Sequence, residues 1–269
     1  MIAVLGAEGM AGHMIYKYLK SKNINVIGYS RKDFDASKDE LPCFYDLSCV
    51  VNCIGVLGPD SNKDIGNTSY INAVLPKMIE NKLMNTDTRI IHISTDCVFD
   101  GKKGNYKETD IPTETGIYGV SKACGEINNN KDTTLRVSII GPEIKEVSRR
   151  SGLLNWVLTN PNQTLQGWTN AIWNGITTLQ LAKNIYKIID YPGEWTGIQH
   201  PVSKYPVDKA TLLSNIVSVY GLDIRIEYIE GPKRVDKSLV CTKSGILRPK
   251  TILEQLIELK EFTSAVQLL

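Results

Sequence analysis

The chain has little net charge to offer a polyanion, with 31 basic residues against 29 acidic ones and a formal charge of +2. No run of like charges breaks that balance, so neither nucleic acid nor a membrane surface is an expected partner. Six cysteines are spread over 269 residues. Cys43, Cys49, Cys53, Cys97, Cys124 and Cys241 contain no CxxC pair and lie mostly in apolar contexts. That speaks against a disulfide framework and reads as buried reduced thiols in a cytoplasmic protein. The three histidines, His13, His92 and His200, are far apart and have no acids at ligand spacing, so no structural metal is expected and nothing requires magnesium. No stretch is apolar enough to span a bilayer. The first residues lack a basic segment before their apolar run, and glycines between 6 and 12 interrupt it, so no signal peptide is expected. Internal repeats and low-complexity segments are absent as well. The length suffices for one large domain, or for a domain with a smaller lobe.

What the chain does contain is a regular alternation. The apolar run at 2–6 ends in glycine, and residues 11–22 carry apolar side chains at helical spacing. Strands are expected at 24–29, at the continuously apolar 47–57, at 89–95 and at 133–140, with helices at 70–83 and 118–128 between them. This order predicts an α/β fold, a Rossmann-type doubly wound parallel sheet with helices on both faces. Beyond it, 141–152 reads as a loop, 153–158 as a short helix, and 176–190 as a longer one. A helix at 207–221 precedes a strand at 224–229, and the last stretch closes with ILEQLIELKEF at 252–262. The expected division is a dinucleotide-binding domain over 1–140, rejoined by 171–195, and a smaller C-terminal substrate-binding lobe from 141–170 and 196–269.

Gly6, Gly9 and Gly12 form GxxGxxG between the first strand and the first helix. A pyrophosphate can rest there on helix N–H groups, although glycine also serves plain tight turns. After the second strand, where an acid would accept the ribose 2′-OH of NAD, the chain has Ser30, Arg31 and Lys32. A cationic pair suits a 2′-phosphate and favours NADPH over NADH, the alternative being a solvated loop.

Residues 92–101, HISTDCVFDG, followed by YGVSK at 118–122, supply a hydroxyl, a phenol and an ammonium in order. Tyr118 and Lys122 are four apart and share one helix face. A free phenol titrates near about pH 10, and a neighbouring ammonium would lower that by favouring the phenolate. Thr95, at the end of an apolar strand, could hold a carbonyl oxygen beside them. These are the groups that hydride transfer to a carbonyl needs.

Taken together, GAEGMAG near the start, STDCVFDG, ETDIP at 108–112, YGVSKACGE and LRVSIIG resemble the extended short-chain dehydrogenase/reductases, and among them the dTDP-4-dehydrorhamnose reductases. Weaker echoes follow in GIQHPVSKYPVDKATL and RVDKSLVCTK. The resemblance implies NADPH-dependent reduction of the 4-keto group of a nucleotide-linked deoxysugar in polysaccharide precursor synthesis, with NADH as the other cofactor. It implies Tyr118 as proton donor, Lys122 as partner of the nicotinamide ribose and of Tyr118, and Thr95 as the group that orients the carbonyl. It also implies pyrophosphate against Gly6, Gly9 and Met10, adenosine near Ser30, Arg31, Asp35 and Ala36, and an inner cofactor wall of Ile54, Gly55 and Val56. Asp96, Cys97, Ile139 and Trp173 would face the sugar, and Arg234 the diphosphate. Cys97 and Ile139 stand where that family typically carries aromatics, and residues 167–183 replace its usual Gly-Ser-Pro-Thr pattern, so a different sugar pocket is expected. Cys97, Trp173 and Arg234 have packing or surface readings as well. A bifunctional epimerase/reductase, with Cys97 as an extra acid/base, and a non-catalytic NADP-binding regulatory subunit both remain open, as does assembly into a homodimer.

Overall fold

The computed structural model describes residues 1–144, 152–161, 163–191, 193–243 and 249–266. Most of the loop expected over 141–152 lies outside them. Five strands, β1 (Ile2–Leu5), β2 (Val26–Tyr29), β3 (Cys49–Asn52), β4 (Arg89–Thr95) and β5 (Thr133–Val137), pair in parallel in the order β5-β4-β3-β1-β2. The expected doubly wound sheet is therefore present. Its central strands β1, β3, β4 and β5 are mostly buried because both faces are covered. Ile2 and Val4 enter one core with Val51 and Ile91, while Ala3 and Leu5 enter the other with Val50 and Ile90. The period of two in a strand delivers alternate residues to the two layers.

Helix α1 (Met10–Ser21) and the helix Thr178–Asp190 cover the first face, and Leu75–Leu83 helps cover the second. The sheet order reverses direction between β1 and β3. In such sheets a crevice opens at that switch point, outside the carboxyl ends of the strands.

Several boundaries differ from expectation. The apolar run to residue 57 leaves the sheet after Asn52, whose side-chain oxygen accepts from Ile54 N at 3.1 Å and turns the chain. In place of one helix over 70–83 there is a wide π turn, Tyr70–Val74, leading into Leu75–Leu83. The run expected to form one strand over 133–140 breaks at Ser138, and Ile139–Ile140 pairs instead with Ile176–Thr177. Gly197–Gln199, expected in the second lobe, is the sixth strand of the main sheet, parallel to β5. Three residues carry too little periodicity to betray a strand. The later chain also contains a parallel pair, Thr164–Trp168 with Arg225–Ile229, and the strand Ala171–Trp173 between Val207–Asp208 and Val235–Asp236.

Arg136 on β5 is 2% exposed, and its guanidinium forms a two-point pair with Glu126, Nε to Oε1 at 2.8 Å and an Nη to Oε2 at 2.7 Å. Ser94 on β4 donates to the same carboxylate at 2.8 Å, and the Phe99 ring lies 5.1 Å from the guanidinium carbon. A planar fork meeting a carboxylate suits burial better than a point charge does. Glu126→Ala leaves that arginine buried without its counter-charge and is expected to lower the unfolding free energy by about 3–5 kcal/mol. Urea denaturation measures this, and a loss under about 1 kcal/mol would show that the pair behaves like a solvent-exposed one.

Candidate active site

The carboxyl ends of the strands carry the candidate residues in order. Gly6 follows β1, Ser30 and Arg31 follow β2, Ile54 to Val56 follow β3, Asp96 and Cys97 follow β4, and Ser138 follows β5. Gly6 adopts a left-handed φ of +75°, and Gly9 N returns to Gly6 O at 3.0 Å. A Cβ on Gly12 would overlap Gly6 O, so only glycine lets the helix start this close to the strand. Gly9 caps α1 with no side-chain hydrogen bond, which leaves the leading N–H groups of a twelve-residue helix facing outward for an anion.

At the end of β2, Asp33 accepts from both Ser30 N at 2.8 Å and Ser30 Oγ at 2.7 Å, and these bonds hold its carboxyl below the usual range. The Arg31 side chain is 78% exposed and touches Asp35 at 3.4 Å. Its guanidinium is therefore displayed and only loosely engaged. Ala36 is buried in the second core and contributes packing there.

Gly55 faces the crevice. A Cβ there would sit 3.8 Å from Lys122 Nζ and 3.4 Å from Asn72 Oδ1. Asn72, fully buried in the π turn, accepts from Val56 N at 2.9 Å and donates to Val56 O at 3.1 Å and Ser121 Oγ at 3.2 Å. One amide thus ties the loop after β3 to the helix that carries Tyr118 and Lys122.

That helix, Ile117–Gly125, lies tight against the π turn, since a Cβ on Gly125 would overlap Asn72 O. Lys122 is 5% exposed and donates to Ile93 O on β4 at 2.7 Å. Burial pushes its ammonium down to about 8, against the pull of Glu126 and Cys53. Tyr118 is half-buried, and burial, with Cys97 beside it, pushes its phenol well above the ordinary value, while a hydrogen bond with Thr95 draws it down. The expectation that Lys122 would depress the phenol is not met in this structure, where burial dominates and Cys97 adds to it.

Thr95 is buried at the strand end. Its Oγ accepts from Cys97 N at 3.1 Å and lies 3.2 Å from Asp96 Oδ1, to which it donates. Asp96 is also buried, and desolvation raises its carboxyl against the attraction of Lys237 and Lys209. Burial, then the Asp96 charge, lift the Cys97 thiol to about 11, so it keeps its proton at neutral pH. Thr95, Asp96, Cys97 and Tyr118 are therefore brought together, with Lys122 one turn further along the helix.

The expected substrate residues divide. Trp173 is a buried wall, 4% exposed, with its indole N–H spent on Ser138 Oγ at 2.7 Å and the Lys209 ammonium 5.1 Å over its ring. It offers no free face for stacking on a sugar. Ile139 is half-buried and packs against the first core. Arg234 is exposed, and the cation from that segment whose charge acts on Asp96 is Lys237, itself paired with Glu114 at 3.5 Å. Ser138, Lys209 and Lys237 were not anticipated from the sequence. The two lysines lie inside VDKATL and RVDKSL, where the family resemblance is weakest. Among the described residues no group of histidine, cysteine and acid side chains could hold a metal ion, and no helix is long and apolar enough to cross a membrane.

A profile of the family described as RmlD substrate binding domain matches residues 1–140. The probable low-salt glycan biosynthesis reductase Agl14 of Haloferax volcanii is 30% identical over 244 residues, covering 82% of this chain and 80% of that protein. Methionine adenosyltransferase 2 subunit beta of Xenopus tropicalis is 26% identical over 162 residues, 54% of this chain, and the chain spans about half of that relative's length, 48%. Among solved structures, dTDP-4-dehydrorhamnose reductase from Bacillus anthracis, in complex with NADP, superposes with a TM-score of 0.81 at 16% identity over 97% of this chain and 99% of that one. At that identity the likeness is one of fold.

Burial of Lys122 has a measurable consequence. An unfolded lysine holds its proton to about pH 10.4, whereas here the ammonium titrates near 8. Burying the charge therefore costs stability in full below pH 8, and the cost is relieved as pH rises from there towards the unfolded value. An NMR titration of the Lys122 side chain is expected to show a midpoint near 8. A midpoint near about 10 would mean that the ammonium is solvated.

Proposed function

The chain belongs to the RmlD substrate binding domain family, and from that premise we propose that it reduces the 4-keto group of a nucleotide-linked deoxysugar, using NADPH in preference to NADH, in the synthesis of polysaccharide precursors. The observation that carries this reading is the assembly of Thr95, Tyr118 and Lys122 at the carboxyl end of β4, beside the crevice where the sheet order reverses. Both the likeness to a glycan biosynthesis reductase over four-fifths of each chain and the NADP complex of the Bacillus anthracis fold relative support it.

The residues present fit a dinucleotide. The uncapped start of α1 with Gly6, Gly9 and Met10 would hold the pyrophosphate. The exposed guanidinium of Arg31, with Ser30, would meet a 2′-phosphate, and Ile54 to Val56 would line the inner wall. A Cβ at Gly55 would lie in ordinary contact with Lys122 Nζ, which places this wall next to that lysine. When bound, the nicotinamide supplies the hydride.

The remaining steps belong to the chain's own groups. Burial keeps the Tyr118 phenol protonated at neutral pH, so a proton is available for the carbonyl oxygen as that oxygen gains charge. Thr95, which acts on the phenol, would orient the same oxygen. Lys122 spends one N–H on Ile93 O, and two remain for ribose hydroxyls and for the phenolate left after proton transfer. With its thiol held near 11, Cys97 is a weak candidate for the extra base that an epimerase/reductase would need. The likeness to a protein named as an adenosyltransferase subunit keeps a second reading, a cofactor-binding subunit without turnover.

Tyr118→Phe separates these readings. On a panel of nucleotide-linked 4-keto-6-deoxysugars the variant should bind NADPH almost as the wild type does, yet turn over at least about a hundredfold more slowly. Near-normal turnover would overturn the proton-donor role, and absence of turnover by the wild type on every member would favour the subunit.

A further inference from the structure

Lys209 is the one group at this site whose hydrogen-bonding capacity nothing described here uses. It is the first residue of the helix Lys209–Tyr220, whose start is fixed by Thr211 N donating to Asp208 Oδ1 at 2.6 Å. The two residues before it pair with the strand of Trp173, Val207 opposite Trp173 and Asp208 opposite Ile172. That pairing sets the ammonium 5.1 Å from the centre of the Trp173 ring. The ring cannot swing away, because its N–H is bonded to Ser138 Oγ. Lys209 is half-buried and feels the charge of Asp96 and the thiol of Cys97. Among the described residues, none accepts a hydrogen bond from its ammonium.

Asp96 supplies the complementary half. Its Oδ1 takes the Thr95 hydroxyl at 3.2 Å, and Ser138 also bonds the carboxylate. A carboxylate has about four acceptor sites, so capacity remains. The Coulombic neighbours of Asp96 are Lys237, which Glu114 already neutralises at 3.5 Å, and Lys209. The cluster as a whole is therefore near neutral, with one acceptor and one donor within electrostatic reach of each other.

We propose that Lys209 and Asp96 form a donor–acceptor pair that reads a neutral polar substituent on the sugar close to its reacting carbonyl, a hydroxyl or an acylamino group, and that excludes a carboxylate there. A hydroxyl or an acylamino group both donates and accepts, and so satisfies Asp96 and Lys209 together. A carboxylate can only accept. It would lie beside Asp96 with no cation in excess, and like charges in a half-buried cleft are costly. This inference rests on the nucleotide-sugar reading proposed above and narrows its substrate class.

Calorimetry on the NADP-bound protein tests it, with UDP-glucose, dTDP-glucose, UDP-N-acetylglucosamine and UDP-glucuronic acid as probes. The wild type is expected to bind a nucleotide hexose at least about tenfold more tightly than the uronic acid. Lys209→Met should weaken the hexose by about ten- to a hundredfold, the scale of a hydrogen bond to a charged group, while NADP affinity stays unchanged and certifies the fold. Asp96→Asn should recover at least about tenfold of the affinity lost to the uronic acid, by removing the like charge. Unchanged hexose affinity in Lys209→Met, or a wild-type preference for the uronic acid, overturns it. A wild type that binds NADP but none of the nucleotide sugars ends the nucleotide-sugar reading, and this inference with it.

Discussion

A lysine ammonium sealed between a helix and the carboxyl end of a parallel sheet must be held, and the hydrogen bond from Lys122 to Ile93 O does this. Desolvation favours the neutral amine, and burial brings the group down to about 8. What keeps it charged at neutral pH is the layer beneath. Glu126, four residues on, draws the proton back. That carboxylate is fixed in turn by the fork of Arg136 from β5 and by Ser94 from β4. The buried ion pair therefore contributes to the site's electrostatics as much as to stability.

The same constraint explains the close packing around the helix Ile117–Gly125. For Lys122 to reach β4, the helix must approach both the sheet and the π turn, and glycine at 125 permits this. The π turn places the Asn72 amide where it can bind Val56 on one side and Ser121 on the other. π-bulges within helices frequently mark functional sites. Here the bulge sets the distance between the loop that would line a cofactor and the helix that carries the acid. The later part of the chain adds Trp173, fixed by its bond to Ser138, and the charges of Lys209 and Lys237, which act on Asp96.

Much of this was legible in the sequence where chemistry and periodicity coincide. Strands buried on both faces show as unbroken apolar runs, and the glycine turn, the STD run and YGVSK each keep their spacing in three dimensions. The edge strand Gly197–Gln199 was not legible, because three residues do not reveal a period. The π turn hid inside an ordinary helical pattern. Trp173 invited a stacking role that its burial and the Lys209 ammonium over its ring oppose, and its bond to Ser138 joins residues 35 apart, which spacing cannot foretell. Arg234 drew attention as an arginine, whereas Lys237, three residues later, is the one whose charge acts on Asp96. Which of several surface cations turns inward depends on the pairing of Val235–Asp236 with Ala171–Trp173.

The most direct measurement follows isotope rather than rate. With NADPH deuterated at the transferring position and a nucleotide-linked 4-keto-6-deoxysugar, NMR of the product should show a single deuterium at C4 of the sugar and none elsewhere on the ring. Reduction of the sugar with protium in place of deuterium at C4, or no transfer of the label to any sugar of that class, would contradict hydride delivery at the Thr95, Tyr118 and Lys122 site.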